Sequence, residues 1–291
     1  MKNTNKFKHF HFWHIVTISP WPFLLSTFAL SMPIGLVTFF QGYYFGVPVF
    51  LIGLFMVIFI MCLWFRDIVI EASYEGHHTK QVQSSLIISF LLFIFSEVML
   101  FVAFFWAFFH SSLFPTVELN CSWPPVGMSD IIMDPFGIPL LNTLLLLTSG
   151  ATLTLAHLYM KQGFMNKSLL SMVVTLLFAI LFLSFQFYEY SVSAFDISDS
   201  IYGSTFFCCT GLHGFHVIVG TIGLSMTTLR IYFSHFSRNH HLGFEFAAWY
   251  WHFVDVVWLF LYMIIYCWGS DMVSPLILEL KDGQENIFYL I

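Results

Sequence analysis

Charge is what this sequence has least of. Asp, Glu, Lys and Arg make up 9% of the 291 residues, against about 25% in soluble globular proteins. With 58% hydrophobic residues, that scarcity excludes a soluble domain. Ten Lys and Arg set against sixteen Asp and Glu leave no basic footprint for nucleic acid, so no such partner is expected. Cysteine is sparse too. The five (Cys62, Cys121, Cys208, Cys209, Cys267) form no CxxC pair and four fall in apolar runs, so neither a disulfide framework nor a zinc site is expected. A cleavable signal is missing as well: MKNTNKFKHFHFWH leads into a full-length apolar span with no small-residue cleavage site. No internal repeat or low-complexity tract stands out.

What is present is long apolar sequence, with 38 Phe. The runs are too continuous for the ten-residue alternation of a membrane barrel. In lipid only helices and closed barrels satisfy their own backbone, so a helical bundle follows. Crossing the hydrocarbon takes about 20 apolar residues, and seven windows qualify: 21–40, 47–65, 86–109, 138–160, 169–188, 203–231 and 246–268. Pro33 is expected to kink the first. The connectors QGYYFG and RDIVIEASYEGHHTKQVQ follow spans one and two, and the longest connector, 111–137, reads as an ordered surface loop.

Numbering the connectors alternately puts Lys2, Lys6, Lys8, Arg66, Lys80, Lys161, Lys167, Arg230 and Arg238 on the side of the N-terminus. Only Lys281 falls opposite, where the loops carry Glu118, Asp130, Asp134, Glu189, Asp196 and Asp199. Positive residues stay inside, so the N-terminus is expected inside and the C-terminus outside.

Two acids interrupt the spans. Glu97 sits in SEVMLFVAFFWAFFH with Phe93, Ile94, Leu100 and Phe101 as its helical neighbours, none of which can pair with a carboxylate. An ionisable group there marks function by default, and without a partner it is expected to be uncharged. The plain alternative is a neutral acid making one interhelical hydrogen bond. Asp255, in WYWHFVDVVWLFLY, has His252 three residues earlier on the same face and within reach of a hydrogen bond. A structural His–Asp lock is the simpler reading, and a proton relay the other.

Thirteen His raise the question of haem or metal. His213 and His216 share a face in the outer half of span six, whereas His157 and His252 lie towards the inner ends of theirs. Haem ligation needs facing His at matched depth, so none is expected. Thr210, Gly214, Thr221 and Ser225 in span six, and SGATLT in span four, suit close helix approach. At the inner ends of spans two, three and six, Trp64, Arg66, His77, His78 and Arg230 suit an anionic lipid head group; ordinary snorkelling and aromatic anchoring are the alternative.

Ordered stretches along residues 10–270 resemble subunit III of cytochrome c oxidase: SPWP (19–22), WFRDIVIEASYEGHHT (64–79), SEVMLFVAFFWAFFHSSLFPT (96–116), WPPVG (123–127), PLLNTLLLLTSG (139–150), ISDSIYGSTFF (197–207), GLHGFHVIVG (211–220), NHHLGFE (239–245) and AWYWHFVDVVWLFLYMIIYCWGS (248–270). The resemblance implies an all-α membrane protein of seven helices, split by a lipid-holding cleft into a two-helix and a five-helix bundle. On that pattern residues 1–14 form an inner segment, 15–80 helices I–II and 81–270 helices III–VII. The tail 271–291 departs from the family pattern and is expected to make an outer-side contact. The resemblance assigns lipid binding to Trp64, Arg66, Glu71, His78 and Arg230, and matches Glu97 to the family's buried carboxyl group.

The resemblance implies no haem or copper in this chain, and no metal-ligating residues are expected in it. Those cofactors belong to partner subunits I and II, with accessory subunits and structural phospholipids completing the assembly. The expected role is a non-catalytic core subunit, with no redox centre of its own, of an oxidoreductase that oxidises cytochrome c, reduces oxygen to water and pumps protons. It would steady the catalytic subunit and support proton uptake, with His9, His11, Asp67, Glu71, Glu75, His77 and His78 as a proton-collecting surface or simply a solvated one. The missing signal and Phe-rich composition favour the mitochondrial inner membrane over a bacterial plasma membrane. Rival readings are subunit III of a quinol oxidase, a proton-coupled transporter using Glu97 and Asp255, and a haem-bearing cytochrome using the His set.

Overall fold

The computed structural model describes residues 13–128, 131–238 and 240–270. Lys2, Lys6, Lys8, His9, His11, Asp130 and the tail 271–291 lie outside the described residues. Seven helices carry the chain: α1 Trp21–Phe40, α2 Gly46–Ser73, α3 Lys80–Leu113, α4 Ile138–Gln162, α5 Met165–Val192, α6 Ser200–Tyr232 and α7 Leu242–Leu261. A π-helical stretch, Tyr262–Trp268, continues α7. All seven are long and apolar enough to cross a membrane, and no strand occurs among the described residues.

Several helices overrun their apolar windows. α2 has 28 residues and α3 has 34; at about 1.5 Å per residue each exceeds the roughly 30 Å hydrocarbon core. The connector after span two is therefore mostly helix: RDIVIEAS finishes α2 and KQVQ starts α3. Its charges bar it from hydrocarbon without barring it from helical hydrogen bonding. α1 runs through Pro33 as one helix, and α4 stops at Gly163, whose φ of 86° lets its amide turn back to the Met160 carbonyl.

The chain divides into two compact units, residues 1–89 and 90–291. In the first, α1 and α2 form an antiparallel hairpin whose axes close in at two glycines. A methyl on Gly35 would stand 2.5 Å from the Phe50 backbone nitrogen and 2.8 Å from the Gly46 carbonyl oxygen, so only hydrogen fits. At the far end the Trp21 indole N–H donates to Asp67 Oδ2 at 2.7 Å.

In the second unit α7 is central. Trp251 and Trp258 are fully buried, and their indole N–H groups donate to Ser149 Oγ and Thr143 Oγ1 of α4, each at 2.9 Å. Thr152 and Thr175 hydroxyls join α4 to α5 at 2.8 Å, and the Tyr190 hydroxyl donates to Thr210 Oγ1 of α6 at 2.7 Å. Lipid offers no hydrophobic force between helices, so such small residues and cross-helix bonds do the joining. Gly214 takes no part, since a methyl there would meet open space; the close approach to α7 is at Gly220, where a methyl would stand 3.0 Å from the Trp251 ring.

Candidate functional site

Glu97 does have a partner. It lies at the middle of α3, and His216 lies at the middle of α6. Glu97 Oε2 and His216 Nε2 are 2.8 Å apart. His216 Nδ1 is 2.8 Å from the Leu212 carbonyl, and a carbonyl can only accept, so Nδ1 carries a hydrogen. One further proton therefore sits between Nε2 and the carboxylate, whichever atom holds it, and the pair as a whole is neutral. His216 is 5% exposed and Glu97 22% by side chain. Phe101 meets the imidazole edge-on at 5.0 Å, and Phe253 closes another side at 6.3 Å. The expected lone, uncharged acid is thus a shared-proton pair in an aromatic cage. Matched depth joins a His to a Glu here, mid-α6 to mid-α3, and not a His to a second His.

The other intramembrane His do not form a haem-type pair with it. His213 Nε2 lies 3.2 Å from the Val254 carbonyl. His252 Nδ1 is 3.9 Å from Asp255 Oδ2, beyond hydrogen-bond range, so the expected His252–Asp255 bond is not made. Asp255 instead presses its Oδ2 towards α4 at Gly150, where a methyl would come within 2.6 Å. Its Oδ1 has no hydrogen-bond partner among the described residues. His157 turns away from both sets and meets His241 and Glu245 at the foot of α7.

A third buried acid was placed by sequence in an outer loop. Glu189 is the 25th residue of α5, only 1% exposed, with Oε1 accepting from the Tyr266 hydroxyl at 2.6 Å. Gln186, one turn back, approaches Asn142 of α4 at 3.5 Å. The signal was available: FQFYEY continues the period of the preceding span, and only the hydropathy drop suggested an end.

The residues expected to bind lipid fall in both units. In the first unit the Arg66 guanidinium is paired with Asp67 Oδ1 at 2.8 Å and remains exposed. Glu71 Oε2 lies 4.0 Å from His14 Nδ1, and the His14 ring stacks on His77 at 4.7 Å and tilts against His78 at 6.5 Å. Trp64 lies two residues before Arg66 on α2, half-buried. In the second unit the Arg230 guanidinium stacks over the Phe236 ring at 4.3 Å and meets Gly243 at the start of α7.

Comparison with known proteins settles the family. The model of cytochrome c oxidase subunit III matches residues 11–270. The chain belongs to that family. Relatives named cytochrome c oxidase subunit 3 include one from Marchantia polymorpha, 52% identical over 261 residues, covering 90% of this chain and 98% of that relative. A Triticum aestivum relative is 51% identical over 260 residues, covering 89% and 97%. One from Allomyces macrogynus is 48% identical over 273 residues, covering 93% and 99%.

Subunit III membership bears out the resemblance drawn from the quoted motifs, and the seven-helix all-α membrane class with it. Both members of the Glu97–His216 pair fall in those motifs, SEVMLF and GLHGFH.

Proposed function

We propose that this chain is a non-catalytic core subunit of a cytochrome c oxidase, embedded beside catalytic subunit I and subunit II. Those partners carry the haem and copper, and this chain carries neither. The observation behind the reading is the family match over residues 11–270, joined to a bundle interior filled with neutral or mutually neutralising polar groups such as Glu97–His216. Such an interior suits a scaffold: Trp251, Trp258, Tyr190 and His216 each bond a side chain of another helix, and those bonds hold the packing.

The chain also holds structural phospholipid. Trp64, Arg66, Glu71 and His78 supply one set of contacts, at the end of α2 and the start of α3, and Arg230 supplies another at the end of α6. Guanidinium and aromatic groups at helix ends, Arg66 exposed and Trp64 half-buried, suit an anionic head group. The His and carboxylates around His77 hold exchangeable protons close to the membrane surface, which supports proton uptake by the complex. The setting is the mitochondrial inner membrane, N-terminus in the matrix and C-terminus in the intermembrane space; the nine-to-one split of Lys and Arg supports that orientation.

The test is purification through a tag on this chain in mild detergent. The eluate should be coloured, contain subunits I and II, and oxidise reduced cytochrome c but not quinol. Quinol turnover without cytochrome c turnover would favour the quinol-oxidase alternative. A colourless chain purified without partners would sink both.

A further inference from the structure

Where α4 ends and α7 begins, three side chains aim at a common point. His157 Nε2 and His241 Nε2 are 3.2 Å apart, His241 Nε2 and Glu245 Oε1 3.3 Å, and His157 Nε2 and Glu245 Oε1 3.7 Å. A tetrahedral zinc ion with bonds of about 2.0–2.2 Å holds its ligand atoms on edges of about 3.3–3.6 Å. The three distances straddle that value, so a single ion fits over the face of the triangle without moving helices.

We infer that His157, His241 and Glu245 form a binding site for Zn²⁺ or a divalent ion of the same class, with water as fourth ligand. The outer shell supports this. His241 Nδ1 lies 3.1 Å from the Ser237 carbonyl, which fixes the hydrogen on Nδ1 and leaves the Nε2 lone pair facing the triangle, as in established zinc sites. His241 and Glu245 are one helical turn apart on one face, so the rigid first turn of α7 presents two ligands and α4 the third. The site is reachable: His241 is buried, but side-chain exposure is 24% at His157 and 26% at Glu245, leaving room for an ion to enter and a water to stay. Two nitrogens select against Mg²⁺ and Ca²⁺, which take oxygen ligands. Lys161, a turn beyond His157, is the cation facing the group, and it tempers affinity without blocking the ligand atoms. Zinc also needs neutral imidazoles, so the hydrogen that His157 shows His241 must pass to its Nδ1 on binding.

The experiment uses the intact oxidase. Complexes carrying wild-type chain, His157→Gln or Glu245→Gln are stripped with chelator and titrated with Zn²⁺ in excess Mg²⁺. Each variant should lose one equivalent of zinc, or bind it at least about tenfold more weakly. Independently, a density map of the zinc-loaded wild-type complex should place an ion within about 2.0–2.2 Å of all three atoms, which decides the matter if a variant does not assemble. Identical titrations for all three complexes, occupancy only at millimolar zinc, or an ion held elsewhere would overturn the site.

Discussion

Replacing Glu97 with Ala removes the only group among the described residues that bonds His216 Nε2, in a cage where the imidazole is 5% exposed. A buried nitrogen left without its partner costs about 1–3 kcal/mol. Glu97→Gln keeps a donor: its amide N–H can reach Nε2, while Nδ1–H stays on the Leu212 carbonyl, so the loss should be under about 1 kcal/mol. Replacing both partners by apolar groups, as in Glu97→Leu with His216→Phe, strands nothing and should recover part of the loss. Cross-helix pairs in membrane bundles couple by about 0.6 kcal/mol on average and up to about 1.7, and the buried, short geometry here points to the upper half. Thermal melting of the purified complex, following release of this chain, reads the series. One kcal/mol corresponds to about 2–4 °C in domains of comparable size, so Ala should melt several degrees below Gln, and the double variant above the sum of its singles. Equal melting of Ala and Gln, or strict additivity, would refute the shared-proton pair as a stabilising contact.

Three other perturbations follow from the same geometry. Gly150→Ala puts a methyl 2.6 Å from Asp255 Oδ2 and should cost about 1–3 kcal/mol; Asp255→Ala in the same chain should relieve most of it, and a full sum of the two losses in the melt would contradict the clash. Gly35→Ala meets the α2 backbone at Gly46 and Phe50 and should lower the yield of assembled chain by prying α1 from α2. Gly214→Ala, facing open space, should be neutral or stabilising by up to about 1 kcal/mol, and equal yields for the two variants would count against the glycine contact. Tyr266→Phe removes the hydroxyl bonded to Glu189 and should destabilise by about 1–3 kcal/mol, whereas Glu189→Gln, keeping an acceptor for it, should melt close to wild type.

The spans were legible because hydropathy reports what hydrocarbon tolerates, and seven apolar runs became seven helices. Their ends were not, because helix continues wherever backbone bonds do: RDIVIEAS belongs to α2 although its charges cannot enter lipid. The same gap hid Glu189, assigned to a loop when it completes α5 and turns into the bundle. Partners were the least legible layer. Glu97 and His216 are 119 residues apart in sequence, and nothing local to either helix announces the other; only equal depth in α3 and α6 joins them. Conversely, the i−3 spacing of His252 and Asp255 advertised a bond that the structure leaves at 3.9 Å, since spacing brings two side chains to one face without aiming them at each other.

On the proposed function, electron chemistry belongs to the neighbouring subunits and this chain carries no redox centre. The direct measurement is the visible spectrum and the iron and copper content of this polypeptide after separation from the coloured complex. A colourless chain with neither element above background is expected, and haem bands or stoichiometric copper travelling with the polypeptide would contradict that assignment.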